Sequence, residues 1–136
     1  MEGNESPEQL SLGRIEGAME RVSELDALPA KLGFIETDEL RTIRRRVLEA
    51  GVRHDTEGIQ EAVQRYRLLG EETVGQLRGS EYTRGQIGLN VAIGLLWRDA
   101  GSPEKYAEDT EDALEYADNM GYVEISSVLK ANRLRP

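Results

Sequence analysis

"WRDAGSPEKYAED", residues 97–109, decides the fold. An apolar run ends at Trp97, Gly101 supplies a helix stop, and Ser102-Pro103 supplies an N-cap and the first position of the next helix. So short a turn brings two helices back against each other antiparallel. Upstream lies "GQIGLNVAIGLLW", 85–97, which carries no charge. A helix over about 81–100 is apolar almost all round in its second half, as a central, covered helix must be. Gly85, Gly88, Ala92 and Gly94 are small enough there for a neighbouring backbone to come close. Downstream, 103–119 reads as a helix ending at Gly121. Its Glu104, Glu108, Glu111 and Glu115, with Asp109 and Asp112 beside them, make one acidic stripe. Such a stripe is the solvated face of an amphipathic helix.

The same punctuation recurs along the chain. Ser6, Pro7 and Gln9 mark a helix start, and Leu12, Ile15, Met19, Val22 and Leu25 follow at helical spacing, predicting a helix over about 7–27. Pro29 and Gly33 make "DALPAKLGFIET", 26–37, a loop with apolar anchors. A second helix starts near Thr37, buries Leu40, Ile43, Val47 and Ala50, and stops at Gly51 as a left-handed C-terminal residue. A third, 55–77, buries Ile59, Ala62, Val63, Tyr66, Leu69, Val74 and Leu77, with Gly70 and Gly75 as weak points. The last, 122–133, carries Tyr122, Ile125, Val128, Leu129 and Leu134. No segment alternates with period two. The reading is all-α: five to six helices in antiparallel hairpins, stacked as an array or closed into a bundle. It places a single domain over 1–136 with a disordered tail at 1–6.

Composition excludes several functions. The chain has 136 residues, a formal net charge of −9 and no cysteine. The charge disfavours nucleic acid. Without cysteine there is no disulfide, thiolate nucleophile or cysteine-based metal or redox site. The acidic start "MEGNESPEQL" is not a secretory signal, and the longest uncharged run is too short to cross a membrane. The expectation is a cytoplasmic protein.

Residues 90–122, "NVAIGLLWRDAGSPEKYAEDTEDALEYADNMGY", resemble a single tetratricopeptide repeat. Asn90, Ile93-Gly94 and Trp97 stand at the family's first-helix positions, Gly101 at its turn, and Ala113-Leu114 at the alanine of its second helix. Asn90 replaces an aromatic, Tyr106 a small residue, Thr110 an aromatic and Asp118 a proline. "EAVQRYRLL", 61–69, repeats the second-helix spacing faintly through Ala62 and Tyr66. The resemblance implies stacked hairpins whose concave groove, often basic, holds a peptide's acidic end. Trp97 then packs across a hairpin near its turn.

Little in the sequence points to catalysis. His54, the one histidine, sits in the turn "GVRHDTEG" with no nucleophile motif. Di-iron bundles need Glu-x-x-His pairs, and none occurs; nor is there an EF-hand loop. The sharper feature is "RTIRRR", 41–46, in which Arg41, Arg44 and Arg45 share one helix face. From Arg41 to Arg67 seven arginines face Glu49, Asp55, Glu57 and Glu61, and Arg53, Arg65 and Arg67 are expected to add to the same neighbourhood. Arginine forks suit carboxylates and phosphates. The patch either pairs with the chain's own acidic helices or holds an acidic protein or peptide. The expected function is therefore a non-enzymatic protein–protein interaction module with Arg41, Arg44, Arg45, Arg53 and Arg65 as partner-binding residues. It calls for no catalytic residue, cofactor or metal, and leaves a homo-oligomer open. The alternative is a small all-α enzyme or metal-binding bundle.

Overall fold

The structure, a computed structural model, describes residues 24–133. These form α1 (24–31 in its described part), α2 (Asp38–Val52), α3 (Thr56–Val74), α4 (Ser80–Asp99), α5 (Pro103–Asn119) and α6 (Val123–Ala131), with no strand among the described residues. The all-α architecture is thus as the sequence predicts. The expected helix start at Ser6-Pro7, the stripe from Leu12 to Val22, the tail at 1–6 and Leu134 lie outside the described residues.

Helix α4 is the spine. Residues two apart on a helix point roughly 200° apart, so its apolar positions split into two opposed sets. Ile87, Val91 and Leu95 pack with Leu25, Leu28 and Leu32 from α1 and its turn, with Tyr106, Ala113, Leu114 and Ala117 of α5, and with Ile125 and Leu129 of α6. Leu89, Ala92, Ile93 and Leu96 pack with Phe34, with Leu40, Ile43 and Val47 of α2, and with Val63, Tyr66 and Val74 of α3. The small residues are where neighbours come closest. A Cβ on Gly88 would stand 3.1 Å from both the Pro29 carbonyl oxygen and Phe34 Cβ, and one on Gly94 would stand 3.2 Å from Thr110 Cγ2. Trp97, half-buried at the end of α4, touches both cores. Between α2 and α6 the backbones pack largely in chain order. No Cα of α2 or α3 lies within 8 Å of one in α5 or α6.

Two local expectations are corrected. The first helix does not stop before Pro29: α1 runs to residue 31. The ring costs one hydrogen bond, but Leu28, Leu32 and Phe34 are all buried on or beyond this turn, so burial against α4 outweighs the loss. Phe34 N–H donates to the Pro29 carbonyl at 2.9 Å and Gly33 N–H to that of Ala30 at 3.0 Å, closing the helix in a Schellman turn.

The second correction concerns Gly51. It is not the left-handed stop but lies inside α2, which runs on to Val52. A Cβ there would stand 3.0 Å from Ala100 Cα, so glycine is needed for contact with the α4–α5 turn. The left-handed position falls instead on His54, at φ 56°, with Asp55 N–H donating to the Ala50 carbonyl at 2.9 Å. Among the described residues it is the one non-glycine with positive φ. Helix α3 in turn ends at Val74, leaving Leu77 beyond it, and α6 spans Val123–Ala131 rather than 122–133.

Two substitutions test this packing. Gly94→Leu drives a side chain into Thr110 and Asp109 of α5 and should destabilise the chain by about 1–3 kcal/mol in chemical denaturation. His54→Gly relieves the left-handed strain and should stabilise it by about 1 kcal/mol; a lowered midpoint would show that the imidazole contributes something the backbone does not explain.

Candidate functional site

The five arginines expected to form one patch divide between two places. Arg41, Arg44 and Arg45 do share a flank of α2, but two of them are engaged locally. Arg41 pairs with Asp38, three residues earlier. Arg44 is gripped by Glu36 from the α1–α2 loop, its Nε donating to both carboxylate oxygens at 3.2 and 3.0 Å and its Nη2 lying 3.0 Å from Oε1. Arg45 is exposed and has no ion-pair partner among the described residues. Arg53 and Arg65 do not join this flank. With Arg46 they line a separate groove of about 210 Å³ between α2 and α3, floored by Ile43, Ala50 and Ala62 and edged by Asp55 and Glu61. None of these three arginines has an ion-pair partner among the described residues. Asp55 is already in use, since its Oδ1 accepts from Gly58 N–H at 3.0 Å and caps α3.

A second concave site opens where α1, α2, α3 and α4 meet, a cavity of about 350 Å³. Its floor is apolar, made by Pro29, Phe34, Ala92, Leu95 and Leu96. On one wall the Tyr66 hydroxyl donates to Glu36 Oε2 at 2.6 Å, so Glu36 is held between Tyr66 and Arg44. Burial, then the hydrogen bond and charge of Glu36, hold the Tyr66 phenol far above its usual range, against a smaller opposing pull from Arg44. Tyr66 also stands edge-on to Phe34, ring centroids 6.2 Å apart. On the other wall Arg98 donates from Nη2 to Asp26 at 2.9 Å and from Nε to Asp99 at 3.0 Å. Burial works against its charge, but these two carboxylates outweigh it and raise its pKa. The charged lining is three carboxylates and two guanidiniums, nearly balanced, so the cavity is polar without strong preference for either sign.

The acidic stripe of α5 faces solvent. Glu104, Glu108, Glu111 and Glu115 are all exposed, and Glu111 is taken by Arg133 with Oε1 2.6 Å from Nε. Asp109, beside the stripe, is half-buried, and that burial raises its pKa while Arg67 draws it back down. No three histidine, aspartate or glutamate side chains gather to hold a metal ion, among the described residues. No described helix is long and apolar enough to cross a membrane. Compared with known proteins, the chain matches no family model, no curated protein and no solved structure.

Sequence reasoning missed Glu36, the partner that Arg44 and Tyr66 share, because nothing local ties a loop carboxylate to a hydroxyl thirty residues away. Arg46 was findable. It precedes Arg53 by seven residues, two helical turns, which puts both on one face.

The Tyr66–Glu36 bond should be worth measuring directly. Tyr66→Phe keeps the ring packing and strips the half-buried carboxylate of a donor, so stability should fall by about 1–2 kcal/mol. A double-mutant cycle with Glu36→Gln checks whether the loss comes from this pair.

Proposed function

We propose that the chain is a non-catalytic protein–protein interaction module whose α2–α3 hairpin holds an acidic segment of a partner protein. The observation that carries this reading is the convergence of Arg46, Arg53 and Arg65 on one groove with an apolar floor, none of them paired among the described residues. Guanidinium forks take carboxylates in pairs of parallel hydrogen bonds. A floor of Ile43, Ala50 and Ala62 lets an apolar side chain of the partner settle between them. In a chain of net charge −9, a local cationic groove also gives orientation, because the net field elsewhere disfavours an acidic segment. The tetratricopeptide-like spacing of 90–122 supports the same reading, since helical hairpins of that kind present grooves to peptides. Arg45 extends the cationic surface on the other flank, where Arg41 and Arg44 act chiefly as scaffolding. A cytoplasmic location goes with this reading.

The test is a peptide rich in aspartate and glutamate with one central leucine, titrated by calorimetry. Arg46, Arg53 and Arg65 changed together to glutamine should abolish binding, with stability held within about 0.5 kcal/mol. Binding to the unaltered protein should weaken steeply with salt. Changing Arg41, Arg44 and Arg45 together should instead lower stability, through the lost grip on Glu36. Undiminished binding by the first triple variant would overturn the proposal.

A further inference from the structure

We propose that the cleft between the α2–α3 turn and the α4–α5 turn, where His54, Trp97 and Lys105 meet, binds a small aromatic anion: a flat ring carrying a phosphate or carboxylate. This cleft is separate from the arginine groove and does not depend on the function proposed for it. It encloses about 310 Å³. That is the lower end of small-molecule pockets, enough for one ring and one anionic group.

Charge singles it out. The clefts lined by Arg44 and Arg98, by Lys31 and Arg84, and by Arg46, Arg53 and Arg65 all include carboxylates. No carboxylate lines this one, and its ionisable groups are His54 and Lys105 alone. Asp55, next to His54 in sequence, is turned to Gly58 N–H. Lys105 is only loosely held by Glu108, at 3.9 Å, so its ammonium is open to a closer anion.

An anion beside these C-terminal helix ends meets fewer free carbonyls, because four of them accept hydrogen bonds from the turns. On α2, Gly51 accepts from His54 N–H at 3.1 Å and Ala50 from Asp55 N–H at 2.9 Å. On α4, Arg98 accepts from Gly101 N–H at 3.1 Å and Trp97 from Ser102 N–H at 2.8 Å. The N-terminal end of α5, by contrast, is left open. Thr37 and Asp55 cap their own helices through their side chains, whereas the Ser102 side chain makes no capping bond and its residue lines the cleft.

The aromatic half of the ligand follows from Trp97. Its indole lines the cleft beside Ile59, with Lys105 Nζ 5.8 Å from the ring centroid. The ligand's anionic group meets this ammonium, and its ring packs on the apolar surface that Trp97 and Ile59 offer beside it. His54 completes the arrangement. Its backbone is in a conformation that glycine adopts without strain, so an imidazole kept there at a cost points to use of the side chain.

The chain has a single tryptophan, so indole fluorescence comes from Trp97, which lines this cleft. Phenyl phosphate and benzoate are the probes, with inorganic phosphate and phenol as the anion-only and ring-only comparisons. At least one aromatic anion should change Trp97 emission saturably and bind at least about tenfold more tightly than either fragment. Lys105→Gln and His54→Gly, followed by calorimetry because Lys105 itself perturbs the indole, should each weaken binding about tenfold. Their folding is checked by denaturation midpoint, and Arg78→Gln, exposed and outside the cleft, should bind as the unaltered protein does. Absence of a saturable response to both aromatic anions would overturn the proposal. So would equal affinity for inorganic phosphate, or binding that survives both cleft variants.

Discussion

Everything else in this structure depends on α4 being apolar on two opposed faces. A helix with one apolar stripe needs one partner layer; α4 needs two. Ile87, Val91 and Leu95 are covered by α1, α5 and α6, while Leu89, Ile93 and Leu96 are covered by α2 and α3. The flanking helices are individually amphipathic and bury only one stripe each. Their positions follow from the faces α4 leaves uncovered, and the glycines along it set how near they come. The cavity at Arg44 and Arg98 follows in turn, because it opens where the flanking elements converge beside this spine.

The turns do a second job. Four helices end in closed C-terminal turns at Gly33, His54, Gly101 and Gly121, where the N–H of that residue and of the next each satisfy an orphan carbonyl. Tight closure brings successive helices into immediate contact and leaves little loop to wander. It also juxtaposes the His54 and Gly101 turns, which touch through Gly51 and Ala100. The cleft where His54, Trp97 and Lys105 meet, between two helix ends, is a direct product of that geometry. The arginine groove has a plainer origin, in two helices of one hairpin that each turn basic residues toward their shared seam.

The charged residues sort by how they are held. Arg44 is fixed by Glu36 from the loop before its own helix and Arg98 by Asp26 of α1 and its neighbour Asp99, so both act as struts at the cavity between α1 and α4. Removing either would strand a partly desolvated acid, which costs more than the pair itself contributes. Arg46, Arg53 and Arg65 have no such anchor among the described residues, and their charge is available to something else. The two groups look alike in composition and differ only in their surroundings.

Helix count, the buried face of each helix, the hairpin at Gly101 and the central place of α4 were legible in the sequence. Each rests on local chemistry: a period of 3.6, a cap, a stop, an uncharged run. What the sequence could not decide was anything set by a distant neighbour. Pro29 and Gly33 looked like a broken loop, yet α1 continues through Pro29 because Phe34 and Leu32 are buried against α4. Gly51 looked like a helix stop, yet it is a contact point for Ala100, and the strain of the turn passes to His54. The partner of Arg44 was not legible, because Glu36 reaches it from a loop that carries no periodic signal. Local propensity is written in adjacent residues, so the sequence by itself determined the helices and their apolar faces. Close approach, ion-pair choice and the lining of clefts depend on side chains brought together across the chain, and only the tertiary structure decided those.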